Sequence, residues 1–403
     1  MKRLRVKPRE NYEERLTEVG FNYYNLKSDD DTDYWQESVM YGFSEREIDF
    51  IQESTQELHN MAIDMVSRIV KSGDYPEYFE LNDTAKELIE QSWRNGDPCM
   101  YGRFDLAYNG KDLKMLEYNG DTPTSLLEGS IAQWDHIQEA PGIPDELRDQ
   151  YNLIDETLVE GWARNFKNAQ VHFAASNEAG FEDWGNTVYM MDAALRAGVK
   201  VKDISMQDIG LDNNGRFLDL DNVEMRNVFK LYPWEYMVKE QFAESLKTST
   251  TRWIEPAWKM LLSNKAMLVD MWKYNPNHPL LLETYASNEG LTGRYAKKAI
   301  HGREGANVYQ TMLAAGQKVY ENLGQGSKVV DDYDKWGYVY QEWFELKDHA
   351  GNKPIIGSWV IDNKACGMSV REDTNLITGD NAHFASHIMV PYDLEDRYRH
   401  YFE

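Results

Sequence analysis

One stretch of the chain decides the fold: residues 101–119, YGRFDLAYNGKDLKMLEYN. Polar and apolar side chains alternate along both halves of this stretch, and Asn109-Gly110 interrupts the alternation. A period of two is typical of a strand with one buried face, and Asn-Gly is a strong turn signal between two such strands. The stretch therefore predicts a β-hairpin.

The length of the turn sets which side chains share a face of this hairpin. A two-residue turn would oppose Tyr108 to Lys111 and would separate the polar residues of the two strands onto opposite faces. A three-residue loop would oppose Tyr108 to Asp112. It would also oppose Arg103 to Glu117. We expect the three-residue loop because it gathers apolar residues on the other face, where they can be buried together: Phe104, Leu106, Leu116 and Tyr118.

In the expected register, one face of the hairpin carries four polar side chains: Arg103, Asp105, Glu117 and Asn119. Two carboxylates and an amide oxygen are hard ligands that suit Mg²⁺, and a guanidinium suits phosphate or a developing negative charge. The set is typical of a phosphoryl-transfer site. The alternative is an exposed strand pair with an ordinary Arg–Glu cross-strand ion pair.

The rest of the chain predicts a mixed α/β (α+β) fold. Apolar residues recur at helical spacing over 45–72, and Gly73 closes that segment. A second helix is expected after Asn82. Residues 171–204 are expected to form one βαβ unit, and the absence of a GxGxxG motif there argues against a dinucleotide site. Further strands are expected at 228–232, 296–300, 338–346, 355–361 and 365–371.

The composition predicts a globular protein with an acidic surface. The 403 residues are 42% hydrophobic and 13% aromatic, enough to build a sizeable core. The 68 acidic and 43 basic residues leave a formal charge of −25, so we expect neither nucleic acid nor an anionic membrane as a partner. The same charge would favour a cationic ligand such as a polyamine, although acidic surfaces also serve solubility.

The cysteines and the apolar segments indicate a cytoplasmic protein. Cys99 and Cys366 are far apart and outside any CxxC motif, which argues against a disulfide framework or a thiolate zinc site. The basic start of the chain is followed by charged residues rather than by the apolar core of a secretory signal. The sequence also lacks a run of about 18 apolar residues that could span a bilayer.

Four blocks stand in order along the chain: the run 101–134, SNKAML at 263–268, KKAIHGREGANV at 297–308, and IIGSWVIDNKACGMSVREDTNLIT at 355–378. Together they resemble the glutathionylspermidine synthase family, and the resemblance covers most of the chain. It implies an ATP-grasp fold with a pre-ATP-grasp region. The implied division is a helical segment at 1–100, the hairpin and βαβ region at 101–255, and an interleaved nucleotide-binding region at 256–403.

The resemblance implies an ATP-dependent ligase. In this family an acid is phosphorylated by ATP and an amine then attacks the acyl phosphate. By matching position, Asp105, Glu117 and Asn119 would hold two Mg²⁺ ions, and Arg103 would act as the catalytic residue that steadies the transferring phosphoryl group. The implied partners are small molecules: an acid, possibly a peptide, and an amine, possibly a polyamine.

The resemblance also implies the nucleotide and substrate contacts. Lys265 and Lys298 match two lysines that contact ATP phosphates, Gly305 lies in a matching glycine-containing loop, and Gln341 matches an adenine contact. The full implied nucleotide set is Arg103, Phe104, Asp105, Lys265, Lys298, Gly305, Gln341, Leu376, Ile377 and Thr378. The implied substrate set is Thr122, Thr124, Ser125, Arg303 and Arg371. Alternatively, Leu376 and Ile377 are ordinary core residues.

One segment departs from the family pattern. Where glutathionylspermidine synthases carry a segment like Asp-Ser-Ala-Ser-Cys, this chain has Asp-Thr-Pro-Thr-Ser at 121–125. The variant resembles a short branch described as acid–amine ligases, in which glutathione is not established as the acid, and we expect no amidase activity. The departure leaves two alternatives open: a non-catalytic binding protein that retains the fold, and an ATPase or carboxylate kinase without an amine acceptor.

Overall fold

The computed structural model describes residues 1–27, 32–178, 180–323, 328–379 and 382–403. Strands and helices alternate along the chain, so the predicted mixed α/β class is confirmed. The strands are β1 (Lys2–Arg5), β2 (Trp35–Ser44), β3 (Tyr101–Tyr108), β4 (Leu113–Asn119), β5 (Gln170–Ala175), β6 (Lys200–Ser205), β7 (Gly210–Leu211), β8 (Phe217–Leu218), β9 (Asn227–Leu231), β10 (Arg252–Ile254), β11 (Thr284–Tyr285), β12 (Gly293–Ala299), β13 (Val308–Ala314), β14 (Gln317–Leu323), β15 (Tyr338–Glu342), β16 (Lys353–Ile361), β17 (Lys364–Asp373) and β18 (His383–Val390).

The helices lie between and over the sheets that these strands form. They are α1 (Tyr12–Glu18), α2 (Glu45–Ser72), α3 (Asp83–Arg94), α4 (Gln133–Glu139), α5 (Ile154–Phe166), α6 (Phe181–Arg196), α7 (Trp234–Met237), α8 (Ala243–Thr248), α9 (Met260–Ser263), α10 (Met267–Tyr274), α11 (Asp331–Asp334) and α12 (Glu395–Tyr398). A single π-helical turn, Glu128–Ala132, precedes α4. Among the described residues, no helix is both long and apolar enough to cross a membrane.

A seven-stranded sheet forms the centre of the molecule, in the order β1-β2-β18-β17-β16-β3-β4. Its strands come from all three segments of the predicted division, which itself stays a prediction. The predicted hairpin is confirmed as β3–β4, and β4 is the edge strand of this sheet. β3 pairs with β16 on one side and β4 on the other, and all eight of its residues are buried.

Two smaller sheets flank the hairpin. The first is wholly parallel, in the order β10-β9-β5-β6, and α6 connects β5 to β6 as the predicted βαβ unit requires. The second is antiparallel, in the order β11-β15-β12-β13-β14. Its strand β15 ends at Glu342, before the end expected at residue 346.

Helix α2 packs against the seven-stranded sheet and has the predicted bounds. The Ser44 hydroxyl accepts from the Glu47 N–H, and the Glu47 carboxylate accepts from the Ser44 N–H, so the helix begins with a capping box. It ends at Gly73, whose φ of 66° suits a glycine. The residues that the periodicity marks as apolar face the core, among them Ile51 and Leu58.

The hairpin turn is longer than expected. Tyr108 lies opposite Leu113, so four residues, 109–112, make the loop, and the expected three-residue loop is wrong. The Asn109 backbone N–H donates to the Asp112 carbonyl at 3.2 Å. The Asn109 side chain also accepts from the Asp112 N–H at 2.7 Å, and this local bonding stabilises the longer loop.

A β-bulge restores the shared polar face. Leu116 has no partner on β3, and the pairing shifts by one residue at this point. Beyond the bulge, Arg103 lies opposite Asn119, and Asp105 lies opposite Glu117. The prediction that these four residues share a face is confirmed, whereas the prediction that Arg103 opposes Glu117 is wrong.

The opposite face of the hairpin is an aromatic contact in the core. The rings of Phe104 and Tyr118 stack with their centroids 3.9 Å apart and their planes 9° from parallel. Phe104 is fully buried, as is Leu106. This packing holds the polar face of the hairpin in place from behind.

We expect Phe104→Ala to lower the free energy of unfolding by about 3–5 kcal/mol, because it removes a fully buried ring and leaves a cavity. Urea denaturation followed by circular dichroism measures the change. The matched control is Phe50→Ala, since the Phe50 ring is 38% exposed and should cost less. Equal losses in the two variants would contradict the prediction.

Candidate active site

A cleft opens between the polar face of the β3–β4 hairpin and the five-stranded sheet. Most of the sequence-predicted site residues line it. These are Arg103, Asp105, Glu117, Asn119, Thr122, Thr124, Lys298, Arg303, Gly305, Gln341, Arg371, Leu376, Ile377 and Thr378. They come from distant segments of the chain, since Arg103 and Thr378 are 275 residues apart in the sequence.

Two guanidinium groups hold Asp105. Arg103 donates from Nε to Asp105 Oδ1 at 2.8 Å, and Arg371 donates from Nη2 to Asp105 Oδ2 at 2.7 Å. Arg103 also donates from Nη1 to the carbonyl of Thr124 at 2.7 Å and lies 5.7 Å from the centre of the Trp359 ring. The Arg103 side chain is thus fixed on several sides, and the pKa of its guanidinium stays raised by Asp105 despite burial.

Lysine side chains surround Glu117. Lys265 Nζ lies 2.9 Å from Glu117 Oε2 and also donates to the carbonyl of Gly302 at 2.5 Å. Burial alone would raise the pKa of the Glu117 carboxyl, but the charges of Lys265 and Lys298 outweigh it and lower the pKa to about 2. Glu117 is therefore ionised at any physiological pH.

The bulge in β4 provides a carbonyl acceptor for the Lys298 ammonium. Lys298 donates to the Leu116 carbonyl at 3.0 Å and to Gln341 Oε1 at 2.6 Å. Gln341 in turn donates to the Met115 carbonyl at 3.1 Å. The prediction that Leu116 packs on the apolar face is wrong, since it lines the cleft.

The ammonium of Lys298 loses its proton at a lower pH than an ordinary lysine does. Burial lowers the pKa of Lys298, the charge of Lys265 lowers it further, and Glu117 opposes both effects. The resulting pKa is about 8. The positive charge of Lys298 in the cleft is therefore sensitive to mildly alkaline conditions.

The glycine-containing loop 302–305 lies against Thr378. Gly305 has a φ of 70°, and a Cβ there would lie 2.5 Å from the Thr378 carbonyl oxygen, so the close approach requires glycine. Arg303 in this loop pairs with Glu235 of α7, which keeps the pKa of the Glu235 carboxyl lowered although burial opposes it. The loop is thereby held against Thr378 on one side and paired with Glu235 on the other.

Two buried polar atoms at the cleft have no hydrogen-bond partner within the described part of the chain. They are Nε of Arg371 and Oγ1 of Thr378. Buried polar atoms normally have partners, so two orphaned atoms in one lining indicate a place for a polar ligand.

The oxygen donors of the hairpin face fit a hard metal ion. The described residues contain no group of three or more His, Cys, Asp or Glu side chains placed to hold one. Asp105 and Glu117 oppose each other directly, and Asn119 adds an amide. The Asn119 nitrogen donates to Glu117 at 3.2 Å, which leaves its amide oxygen as an acceptor. Two carboxylates with an amide oxygen fit a hard cation that keeps several waters, as Mg²⁺ does.

Three of the sequence-predicted residues lie outside the cleft lining. Lys265 reaches the cleft lining through Glu117. The Phe104 ring faces the core, so only its backbone is near the polar face. Ser125 is buried behind the cleft, where its hydroxyl contacts the Tyr34 hydroxyl at 3.2 Å.

Sequence reasoning missed several lining residues. Asp183 near the start of α6 lines the cleft, and burial, followed by the charge of Glu182, raises the pKa of its carboxyl to about 6. The residues after β15 also line it: Trp343, Phe344 and Leu346. The signal available for these was a pair of adjacent aromatic residues just beyond a strand that carries Gln341.

Comparison with known proteins identifies the family. The sequence model described as "Glutathionylspermidine synthase preATP-grasp" matches residues 3–390. A "Putative acid--amine ligase" of Haemophilus influenzae is 44% identical over 94% of this chain and 96% of its own length.

More distant relatives are longer proteins. Trypanothione synthetase of Crithidia fasciculata is 27% identical over 92% of this chain, and the bifunctional glutathionylspermidine synthetase/amidase of Escherichia coli is 23% identical over 80%. The chain matches only 57% and 55% of these two proteins, respectively.

A solved structure shares the fold. The apo form of a glutathione synthetase-like effector from Globodera pallida has a TM-score of 0.53 at 12% identity, over 94% of this chain and 96% of that one. At this identity the likeness concerns the fold alone. The family match over nearly the whole chain, together with the 44% identical relative, shows that the chain belongs to the glutathionylspermidine synthase family of ligases.

Proposed function

We propose that this protein is an acid–amine ligase that uses ATP and Mg²⁺, forms an acyl phosphate and has an ATP-grasp fold with a pre-ATP-grasp region. One observation carries the proposal: Asp105 and Glu117 oppose each other in a cleft that also collects Arg103, Arg371 and Lys298. Paired carboxylates among cations suit phosphoryl transfer, because catalysis there is mainly placement and charge neutralisation. The relative named an acid–amine ligase supports the reaction class.

The residues of the cleft have different roles in this reaction. Asp105, Glu117 and Asn119 hold Mg²⁺, which when bound neutralises charge on the ATP phosphates. Arg103 steadies the phosphoryl group as it moves, because its guanidinium is already fixed by two acceptors. Lys298 binds a phosphate and Lys265 holds Glu117 in place.

The other lining residues bind the nucleotide and the acid. Gln341 contacts the adenine, and the glycine loop lies over the phosphates. Leu376, Ile377 and Thr378 form the nucleotide wall. Arg303 and Arg371, with the hydroxyls of Thr122 and Thr124, bind the acid.

The proposed reaction has two steps. A carboxylate oxygen of the acid bonds to the γ-phosphorus of ATP as the bond to ADP breaks. The nitrogen of a neutral amine then bonds to the acyl carbon, inorganic phosphate leaves, and the nitrogen gives up one proton. We propose an amino acid or peptide as the acid and a polyamine as the amine, since the names of the relatives include glutathionylspermidine and trypanothione synthetases.

The decisive experiment combines calorimetry with turnover. Titration with millimolar Mg·ATP should give saturable binding, and a screen of amino acids, small peptides and polyamines should find a pair that stimulates ADP release and yields an amide by mass spectrometry. Absence of nucleotide binding would reject the proposal. Binding without turnover would indicate a binding protein, and ADP release without an amide would indicate a carboxylate kinase or ATPase.

We expect Glu117→Gln to lower kcat by about 10²–10³-fold and to raise the Mg²⁺ concentration needed for half-maximal activity, because a carboxylate ligand becomes a neutral amide. Steady-state ADP release at varied Mg²⁺ measures both effects. The control Glu53→Gln changes an exposed acid on α2 and should behave as the unmodified protein. An unchanged Mg²⁺ requirement in Glu117→Gln would remove Glu117 from the metal site.

Activity should fall as the pH rises through about 8, where Lys298 loses its proton. Below that pH the ammonium neutralises phosphate charge; above it, the neutral amine cannot, so kcat/KM for ATP should drop about tenfold per pH unit. Lys298→Arg keeps its positive charge at alkaline pH, so this variant should not show the fall in kcat/KM above about pH 8. Lys297→Arg changes the preceding residue of β12 and should keep the alkaline fall in activity. An identical alkaline limb in Lys298→Arg would assign the limb to another group.

A further inference from the structure

The peptide between Thr124 and Ser125 lies directly behind Arg103. The Thr124 carbonyl accepts from Arg103 Nη1 at 2.7 Å, so the orientation of this peptide fixes one arm of the guanidinium. The next residue, Ser125, has a φ of 68°, a left-handed conformation that is unfavourable for serine. Such a conformation persists only where the surroundings hold it, and it is common at functional sites.

A buried network of hydroxyls holds Ser125. Its Oγ lies 3.2 Å from the Tyr34 hydroxyl, which donates to Glu128 Oε1 at 3.0 Å. The Tyr23 hydroxyl donates to the other carboxyl oxygen, Glu128 Oε2, at 3.2 Å. Glu128 has no exposed surface. The Glu128 carboxyl is therefore the centre of a hydrogen-bond network that leads from the core to the cleft wall.

The π-helical turn Glu128–Ala132 aims this carboxyl at the network. Gly129 allows the turn to approach the sheet, since a Cβ there would lie 2.9 Å from Nε1 of Trp359. The Gly129 N–H also donates to the Ser125 carbonyl at 3.1 Å. Single π-helical turns are frequent at functional sites, where they re-aim a side chain.

Burial favours the neutral form of the Glu128 carboxyl. Burial raises its pKa to about 8, and the charge of Glu182 on α6 contributes, while the hydroxyls of Tyr34 and Tyr23 oppose the rise. Among the described residues Glu128 makes no ion pair. When this carboxyl is protonated, its O–H donates to one tyrosine hydroxyl while the other hydroxyl donates to its second oxygen, so both tyrosines stay linked to Glu128.

We propose that Glu128 and Tyr34 are positioning residues of the ligase: through Ser125 they orient the Thr124 carbonyl, which holds Arg103 in place for phosphoryl transfer. This inference rests on the proposed function. It also reassigns Ser125, which the family resemblance placed among the substrate contacts, to support of the cleft wall. Residues that orient a functional side chain often contribute 10–100-fold to activity without touching the substrate.

A double-mutant cycle tests whether the network acts through Arg103. Tyr34→Phe should lower kcat about tenfold with the KM for ATP nearly unchanged. In the Arg103→Met background, whose side chain has no donor for the Thr124 carbonyl, the same change should have an effect of less than twofold. Equal effects in both backgrounds would mean that Tyr34 acts on general stability and would overturn the inference.

Two further variants separate hydrogen bonding from bulk. Glu128→Gln keeps one donor and one acceptor and should retain kcat within about twofold at pH 7, whereas Glu128→Ala should lose as much as Tyr34→Phe. The matched control is Tyr24→Phe, because Tyr24 packs on Phe21 as Tyr34 does but donates no hydrogen bond among the described residues. If Glu128→Gln lost as much activity as Glu128→Ala, this result would contradict the role of a neutral Glu128 side chain in linking the two tyrosines.

Hydrogen exchange tests the network without any turnover. In Tyr34→Phe the amide of Gly129 should exchange at least about tenfold faster than in Tyr24→Phe, while amides of β3 stay unchanged. Unchanged exchange at Gly129 would overturn the inference even if the enzyme is active. If the unmodified protein releases no ADP with any acid and amine, the proposed function fails, and the exchange measurement alone decides whether Tyr34 holds this segment.

Discussion

Two carboxylates facing each other across a pair of strands are the constraint on which the rest of the site depends. Asp105 and Glu117 are directly opposed, and like charges so placed repel each other. Arg103 and Arg371 hold the first carboxylate, and Lys265 holds the second. The hairpin cannot supply these cations alone, so the cleft requires that distant parts of the chain fold onto it.

The same constraint explains how the edge of the central sheet is covered. β4 is an edge strand, and unpaired edges invite unwanted strand addition. Its carbonyls at Met115 and Leu116 accept instead from Gln341 and Lys298 of the five-stranded sheet. The bulge at Leu116 therefore aligns the acids on one face and supplies an acceptor that links the two sheets.

Local patterns predicted the elements well and their exact pairing less well. Helix α2 and the βαβ unit follow from local signals. These are the spacing of apolar residues and, for α2, Gly73, which ends the helix. The hairpin register failed at the turn because the Asn109 side chain stabilises a four-residue loop, and a bulge then compensated for the change. The alternation of polar and apolar residues cannot reveal a longer loop and a bulge whose effects on the strand register cancel.

The sequence by itself determined that Arg103 shares a face with Asp105, and Glu117 with Asn119, because side chains on a strand alternate with a period of two whatever surrounds them. The bulge at Leu116 brings the two pairs onto one face. Only the tertiary structure decided which distant groups meet that face and that Ser125 supports it from behind. Contacts between sheets join residues hundreds of positions apart, and they depend on packing and charge compensation across the whole core. No short-range sequence pattern encodes these long-range contacts.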